Sequence, residues 1–201
     1  GIQAAVNEVF GSDDLTGKTV AIQGLGAVGR RLAERLHEAS AKLYVTTRDK
    51  AKIDKAVAEL NATAVGPDEI YGVECDVFSP CARGAIINDK TIEQFKCKII
   101  AGAANNQLAE SRHGDMLHEK GILYVPDYII NSGGVINIID DISGREYNRE
   151  NAMKNTARIY DSCKKVFEIA KRDNIPTYKA ADIMAEERIA AVGRIKKIYN
   201  R

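Results

Sequence analysis

The stretch from Thr19 to Lys52, "TVAIQGLGAVGRRLAERLHEASAKLYVTTRDKAK", decides the fold. The run "KTVAIQ", which overlaps its start, is short, apolar and partly β-branched, and it predicts a buried strand. Gly24, Gly26 and Gly29 then form a G-x-G-x-x-G pattern that leads into a predicted helix over 27–39, and "KLYVTT" predicts the next strand. A glycine loop between a strand and a helix is the context that dinucleotide binding requires.

Each glycine of this loop has a separate physical reason. Gly24 permits a tight turn, Gly26 lets the backbone approach a pyrophosphate, and Gly29 allows the helix to pack closely on the strand. The free N–H groups at the start of the helix then face the anion. The alternative is a glycine-rich turn without a ligand. We expect the cofactor loop to consist of Gly24, Leu25, Gly26, Ala27, Val28 and Gly29.

The end of the second strand bears on which cofactor is bound. A unit that binds NAD usually offers a carboxylate to the ribose hydroxyls at this point. Here the strand ends with Thr47 and Arg48. Threonine brings no negative charge, and arginine pairs with a phosphate or stacks on adenine. We therefore expect NAD or NADP as the cofactor and favour NADP. Asp49 is the counter-evidence, because a shift of two residues would bring its carboxylate to the ribose.

Strands and helices alternate along the first two thirds of the chain. Further strands are predicted at "CDVFSP", "KIIAGAA" and "ILYVP", and a further helix over 50–60. This alternation predicts an α/β fold with a doubly wound, mostly parallel sheet (Rossmann-like). A leading helix over 1–10 precedes it, and a C-terminal helical extension over 145–201 follows, with one long helix over 147–173. We expect residues 1–201 to form a single NAD(P)-binding domain.

Five segments in order carry a more specific signal than the glycine loop alone. Together they resemble the cofactor-binding domain of the Glu/Leu/Phe/Val amino-acid dehydrogenase family, and the resemblance covers essentially the whole chain. Such a resemblance implies a two-domain, usually homo-oligomeric enzyme that oxidatively deaminates an L-amino acid to a 2-oxo acid and reduces NAD or NADP. The segments are "GSDDLTGKTVAIQGLGAVG", "YGVECDVFSPCA", "GAANNQL", "RHGDMLHEKGILYVPDYIINSGGVIN" and "AKRDNIPTYKAADIMAEERI".

The resemblance also implies where the rest of the cofactor site lies. It assigns one group of small residues to the adenosine-side ribose and the bridge, and a second group to the nicotinamide ribose. Asn131 matches an asparagine that contacts the substrate or the nicotinamide carboxamide, although its residue type equally suits the start of a helix. The first group is Pro80, Cys81 and Ala82, and the second is Ala103, Ala104 and Asn106.

Two features separate the chain from the family pattern. In leucine-type members the position of Thr47 is typically aspartate, so a preference for NAD is not implied. The family's catalytic lysines and acid–base aspartate belong to an N-terminal domain that these residues do not include, and Lys18, Lys42 and Lys50 do not match that motif. We therefore expect the chain to bind the dinucleotide, and to act on an amino acid only together with a catalytic domain. The alternative is a stand-alone or engineered dinucleotide-binding or sensor module without enzymatic activity.

Composition excludes several classes of partner. The net charge is +1, from 29 basic and 28 acidic side chains, which argues against nucleic acid. There is no apolar run of membrane-spanning length and no signal-like segment, and the four cysteines form no C-x-x-C pair, so we expect a cytoplasmic protein with reduced thiols. His113 and His118 do not share a helical face, so we expect no metal site. The sequence is compatible with a homo-oligomer.

Overall fold

The computed structural model describes residues 1–142 and 147–199. Within these residues a six-stranded sheet has the order β3-β2-β1-β4-β5-β6, and every neighbouring pair is parallel. This confirms the doubly wound α/β fold. The strands are β1 Thr19–Gln23, β2 Lys42–Thr46, β3 Thr63–Ala64, β4 Val77–Pro80, β5 Ile99–Ile100 and β6 Leu123–Tyr124.

Helices connect and flank the strands. The leading helix ends at Gly11, as its sequence predicts, because this residue adopts the left-handed conformation (φ 77°) and its N–H bonds back to Asn7. A short 3₁₀ turn over Glu69–Gly72 precedes β4. The helices are α1 Ile2–Phe10, α2 Ala27–Glu38, α3 Lys50–Leu60, α4 Ser111–Glu119, α5 Asp127–Ile130, α6 Gly133–Ile142, α7 Arg149–Ala157, α8 Ile159–Asp173 and α9 Thr177–Tyr199.

The expected helix over 147–173 is two helices. The break lies at Arg158, whose N–H bonds to the Asn155 carbonyl three residues back instead of four. The Thr156 hydroxyl donates to the Ala152 carbonyl at 2.8 Å, and such back-bonding bends helices. The C-terminal helical extension itself is confirmed, except for residues 145, 146, 200 and 201, which lie outside the described part of the chain.

Buried side chains cover both faces of the sheet because neighbouring strand residues point to opposite faces. In β1, Val20 and Ile22 join a cluster that includes α1, α2, α8 and α9, whereas Ala21 faces the other side. On that second face Phe78 packs between two aromatic rings, and its ring centroid lies 5.0 Å from that of Phe95. The sheet is therefore covered on both sides, as parallel sheets require.

The last two strands are shorter than the sequence predicts. "KIIAGAA" has only Ile99 and Ile100 in the sheet, because the chain then turns at Gly102. A Cβ atom on Gly102 would collide with the Pro80 carbonyl oxygen, so this turn lies directly against the end of β4. The shortening brings the "GAANN" segment to the carboxyl edge of the sheet as a turn.

Several apolar side chains on the C-terminal helices are exposed. Ile138 and Ile139 of α6 are each 57% exposed, and Ile189 of α9 is 72% exposed. Val135, Met153 and Val192 extend this exposed set. Within the described residues, no helix combines the length and the apolar character that crossing a membrane requires.

Candidate functional site

The glycine loop lies at the carboxyl end of β1 and is packed against its neighbours. Gly24 has φ 103°, and its N–H donates to the Thr46 carbonyl at 2.8 Å. A Cβ atom on Gly24 would lie 2.7 Å from the Ala82 Cβ atom, and one on Gly29 would collide with the Gly24 carbonyl oxygen. Both positions therefore need glycine for packing and, at Gly24, for backbone conformation.

Gly26 differs from the other two glycines of the loop. A Cβ atom built on it meets nothing within 4 Å, and its φ of −69° is open to any residue. The free protein therefore gives no reason for glycine here. A ligand that approaches the backbone at this point would give one, and Gly26 precedes the first turn of α2, where the N–H groups are unpaired within the helix.

The residues of the glycine loop differ in their exposure to solvent. Leu25 is only 1% exposed, backbone included, and packs in the core, so it offers no accessible surface to a ligand. Ala27 is exposed, and Val28 is 62% exposed. Val28 lies outside the buried face of α2, which is formed by Gly29, Ala33 and Leu36.

The end of β2 lies beside this loop, since Thr46 pairs in register with Gln23 of β1. Thr47 is half-buried and Arg48 is exposed. Asp49 is the N-cap of α3: its carboxylate accepts hydrogen bonds from the N–H groups of Ala51 and Lys52, at 3.1 and 3.4 Å. Asp49 therefore already has a structural role at the helix start.

The turns after β4 and β5 complete the edge of the sheet. The Cys81 N–H donates to the Gln23 carbonyl at 2.8 Å, and the Ala104 N–H donates to the Pro80 carbonyl at 2.9 Å. Ala82 is exposed and Ala103 is half-buried, so their small side chains face the cleft. Pro80 and Ala104 are buried, so these two contribute shape rather than accessible groups.

Asn131 lies at the C-terminal end of α5, on the same edge. Its side-chain amide donates to the Asn105 side-chain oxygen at 2.6 Å, which brings the end of α5 to the turn after β5. Asn106 is exposed, with φ 51°, and its N–H donates to the Asp127 carboxylate at 2.7 Å. The structure thus brings Asn131 and Asn106 together with Asn105 and Asp127.

Sequence reasoning missed the residues that hold these turns in place. Asp127 is held in turn by the Tyr124 hydroxyl, which donates to it at 2.8 Å. Gln107 is completely buried, and its amide donates to the carbonyls of Gly102 and Ala104. Asp127 had a sequence signal, since it is a carboxylate just past a strand. Gln107 had none beyond its place after "GAANN".

The Cys81 thiol is not poised for chemistry. It lies 3.6 Å from the Ser79 hydroxyl, under the glycine loop. Burial raises the pKa of this thiol above its ordinary value, which keeps it protonated near neutral pH. Cys81 therefore shapes the turn rather than acting as a nucleophile.

His113 and His118 both lie on α4, and the described residues contain no group of three or more His, Cys, Asp or Glu side chains that could hold a metal ion. His113 is buried in the first turn of α4, where its Nδ1 accepts a hydrogen bond from the Glu110 N–H at 3.0 Å. Its Nε2 lies 3.3 Å from Asp89. His113 therefore caps a helix.

Comparison with known proteins identifies the family of the chain. The model of the glutamate/leucine/phenylalanine/valine dehydrogenase family matches residues 43–195. The chain belongs to this dehydrogenase family. Members similar to it include a leucine dehydrogenase from Geobacillus stearothermophilus, which is 59% identical over 99% of this chain and 54% of its own length. A phenylalanine dehydrogenase from Bacillus thermotolerans is 44% identical over 99% of this chain and 53% of its own length.

A solved structure of the same family superposes closely. The L-tryptophan dehydrogenase from Nostoc punctiforme has a TM-score of 0.92 and 46% identity, and the match covers 95% of this chain and 58% of that one. The chain therefore spans about half the length of the family members that it matches. Within the family, the substrates that these names print already differ from member to member.

Proposed function

We propose that the chain binds a nicotinamide dinucleotide across the carboxyl ends of β2, β1, β4 and β5, and that residues 1–201 form the cofactor-binding domain of an amino-acid dehydrogenase. One observation carries the proposal. Gly26 borders open space, while Gly24 and Gly29 on either side of it are packed too tightly to accept a side chain. An open backbone position between two tightly packed glycines, at the start of a helix, lets a pyrophosphate approach the chain closely.

The remaining contacts follow from the order of the strands. With the pyrophosphate over β1, one half of the ligand extends towards β2 and the other over β4 and β5. Thr47 and Arg48 would then meet the adenosine ribose, and Ala103, Asn106 and Asn131 the nicotinamide half. When bound, the nicotinamide ring supplies the hydride acceptor. The chain's own part is to bind and orient it.

We infer a preference for NADP over NAD from the end of β2. A carboxylate there would repel a 2′-phosphate, whereas Thr47 and the exposed Arg48 favour one. Asp49, the nearest acid, faces the N–H groups of α3 and pairs with Lys52 at 3.6 Å. Because the Asp49 carboxylate caps α3, it is not the free carboxylate that NAD binding would use at the ribose.

The reaction that we propose for the complete enzyme is the oxidative deamination of an L-amino acid, of the leucine type, to a 2-oxo acid. We further propose that this chain alone binds the cofactor without turning over the amino acid. Lys18 and Lys42 stand at the amino ends of β1 and β2, the edge opposite the site. A homo-oligomeric enzyme is part of the same proposal. So is a cytoplasmic location, which agrees with four unpaired cysteines.

Calorimetric titration of the chain with NAD and NADP separately tests the proposal. We expect both to bind, NADP more tightly, and the Arg48→Ala variant to lose most of the difference. Absence of binding by either dinucleotide would overturn the proposed function. A preference that Arg48→Ala leaves unchanged would overturn only the role of Arg48. Steady-state assays with branched-chain L-amino acids should give no turnover, and clear turnover would contradict the inactivity of the chain alone.

A further inference from the structure

Gln107 is a buried polar side chain whose position the strands do not explain. It lies in the segment after β5, with none of its surface exposed. Its backbone is fixed by a parallel bridge, in which the Ile87 N–H donates to the Gln107 carbonyl at 3.0 Å and the Ala109 N–H donates to the Ile87 carbonyl at 2.9 Å. The side chain is thus held from a rigid point and directed back under the turn formed by residues 102–106.

The side-chain amide of Gln107 donates hydrogen bonds to two carbonyl groups of this turn. Its Nε2 donates to the Gly102 oxygen at 3.0 Å and to the Ala104 oxygen at 2.9 Å. The opposite orientation of the amide would set its oxygen against two carbonyl oxygens, so the hydrogen-bond pattern fixes which atom is the donor. Both carbonyl oxygens accept a hydrogen bond from this buried amide. Ala103 lies between them and lines a cleft of about 440 Å³ that extends to Val28 of α2 and Ile130 of α5.

The same amide leaves its oxygen without a partner. Gln107 Oε1 is buried and accepts no hydrogen bond from the part of the chain that the structure describes. Burying such an acceptor is unfavourable, and an apolar side chain of similar length would fill the space without that cost. What the amide adds over such a side chain is its two donor contacts to the turn. The stabilised feature is therefore the shape of residues 102–104.

This shape matters at one end of the proposed site only. The turn packs on β4, since the Ala104 N–H donates to the Pro80 carbonyl, and it meets Asn131 through Asn105. It is separated by β4 and β1 from Arg48 at the end of β2. A change in the turn would alter the surface that faces the nicotinamide half and leave the adenosine half in place.

We propose that Gln107 is a positioning residue that sets the turn over 102–104 for the nicotinamide half of the dinucleotide without touching the ligand. The proposal rests on the proposed function. It predicts a loss of affinity confined to ligands that carry the nicotinamide. Loss of a residue with a merely structural role would weaken every ligand of the cleft together.

The test compares two ligands on the full 201-residue chain and its Gln107→Met variant. One ligand is the dinucleotide that the wild type binds more tightly. The other is its fragment without nicotinamide, which is ADP-ribose for NAD and the 2′-phosphorylated form for NADP. We expect Gln107→Met to weaken the dinucleotide about tenfold, as the loss of two neutral hydrogen bonds implies, and the fragment less than about twofold.

Other results are equally decisive. Equal losses for both ligands, or no loss for either, would overturn the positioning role. A wild type that binds neither ligand would instead overturn the proposed function, so the two failures are distinguishable. Gln94→Met is the matched control, because Gln94 also donates to a backbone carbonyl (Lys90, 3.0 Å) but is exposed and belongs to the turn before β5. It should change neither affinity.

A second variant covers the case in which Gln107→Met does not fold. Gln107→Glu keeps the shape of the side chain, and only its protonated form can donate to one of the two carbonyls. We expect it to lose dinucleotide affinity relative to the wild type at about pH 8 and to recover part of it at about pH 5.5, since burial favours the protonated carboxyl. A loss of about tenfold at both pH values would overturn the proposal.

Discussion

The side-chain amide of Asn131 donates a hydrogen bond to the Asn105 side-chain oxygen across 2.6 Å, joining the end of α5 to the turn after β5. This contact uses one amide hydrogen of Asn131 and leaves its carbonyl oxygen for a ligand. Asn131 is half-buried, so it is shielded without being enclosed. The pair is therefore suited to present an acceptor at a fixed position in the cleft.

We expect Asn131→Ala to weaken nicotinamide dinucleotide binding by about three- to tenfold, since one neutral hydrogen bond contributes about 0.5–1.5 kcal/mol. Isothermal calorimetry measures the change. Asn105→Ala removes the nearer internal partner of Asn131 and leaves the Ala104 carbonyl at 3.5 Å, so it should weaken binding less. Unchanged affinity in Asn131→Ala would show that this side chain does not contact the ligand.

The two glycines Gly24 and Gly26 should respond differently to alanine. Gly26→Ala meets open space in the free protein, so its free energy of unfolding should change by less than about 0.5 kcal/mol. Its new methyl group would stand between the backbone and the pyrophosphate, so dinucleotide affinity should fall more than about tenfold.

Gly24→Ala should instead lose stability as well as binding. Its positive φ and its contact with Ala82 make a cost of about 1–3 kcal/mol the expected change in a urea titration. If Gly26→Ala bound the dinucleotide as tightly as the wild type, the pyrophosphate would not lie at this loop.

Asp49 offers a way to separate helix capping from cofactor choice. Asp49→Ser keeps a cap for α3 and removes a negative charge next to Arg48, so we expect NADP to gain affinity relative to NAD. Asp49→Ala should show the same gain and also lose about 1 kcal/mol of stability with the cap. Paired calorimetry and urea unfolding measure the two effects.

The matched control for the charge is Asp54→Ser, further along α3 and also exposed. It should change the cofactor preference less than Asp49→Ser. An equal shift in both variants would indicate a general effect of net charge rather than a local one at the end of β2.

The buried thiols predict a loss of stability at alkaline pH. Burial raises the pKa of Cys75 and of Cys97 to about 12, whereas an unfolded cysteine ionises at about 8.5. The raised pKa stabilises the folded protein fully at pH values below the pKa of an unfolded cysteine. This stabilisation is lost as the pH rises towards the pKa of the folded protein. The free energy of unfolding should therefore fall between about pH 9 and pH 12.

Tyr124 and Tyr128 also lower the free energy of unfolding at alkaline pH, because burial raises the pKa of each phenol. Urea unfolding of a Cys75→Ala/Cys97→Ala variant isolates the thiols, since its stability should depend less steeply on pH in this range. A dependence identical to that of the wild type would contradict the assignment to Cys75 and Cys97.

The exposed apolar side chains of α6 predict self-association. Ile138 and Ile139 are each 57% exposed, and apolar surface of this kind promotes association. Sedimentation velocity at increasing concentration should show larger species for the wild type than for Ile138→Ser/Ile139→Ser. Val57→Ser, at a residue of α3 that is 42% exposed, is the control. A wild type that stays monomeric throughout would contradict the prediction.

The sequence predicts the central half of the sheet because local signals and tertiary structure agree there. The β-branched runs of β1 and β2 and the glycines between them identify strand, loop and helix without reference to the rest of the chain. The ends of β5 and β6 were not predictable in this way. Ala101 is as apolar as a strand residue, and what ends β5 is the close approach of Gly102 to Pro80, a contact between distant residues.

The candidate site shows the same division. A residue that would face the ligand has a recognisable type, such as the glycines of the loop or Asn131. A residue that holds another in place, such as Gln107 or Asp127, is recognised by its hydrogen bonds, which only the folded chain forms. Val28 shows the same limit: its apolar type does not reveal that the buried face of α2 is formed by Gly29, Ala33 and Leu36.

The strands differ in length across the sheet: β1 and β2 have five residues each, and β5 and β6 have two. Lengthening or shortening the chain within a five-residue ladder would shift its register and turn core residues outward. After a two-residue strand the chain is already a connecting segment, where insertions and deletions are tolerated best. Loop grafting is therefore a practical way to remodel the β5–β6 end of the edge, whereas the β1–β2 end admits only point substitutions.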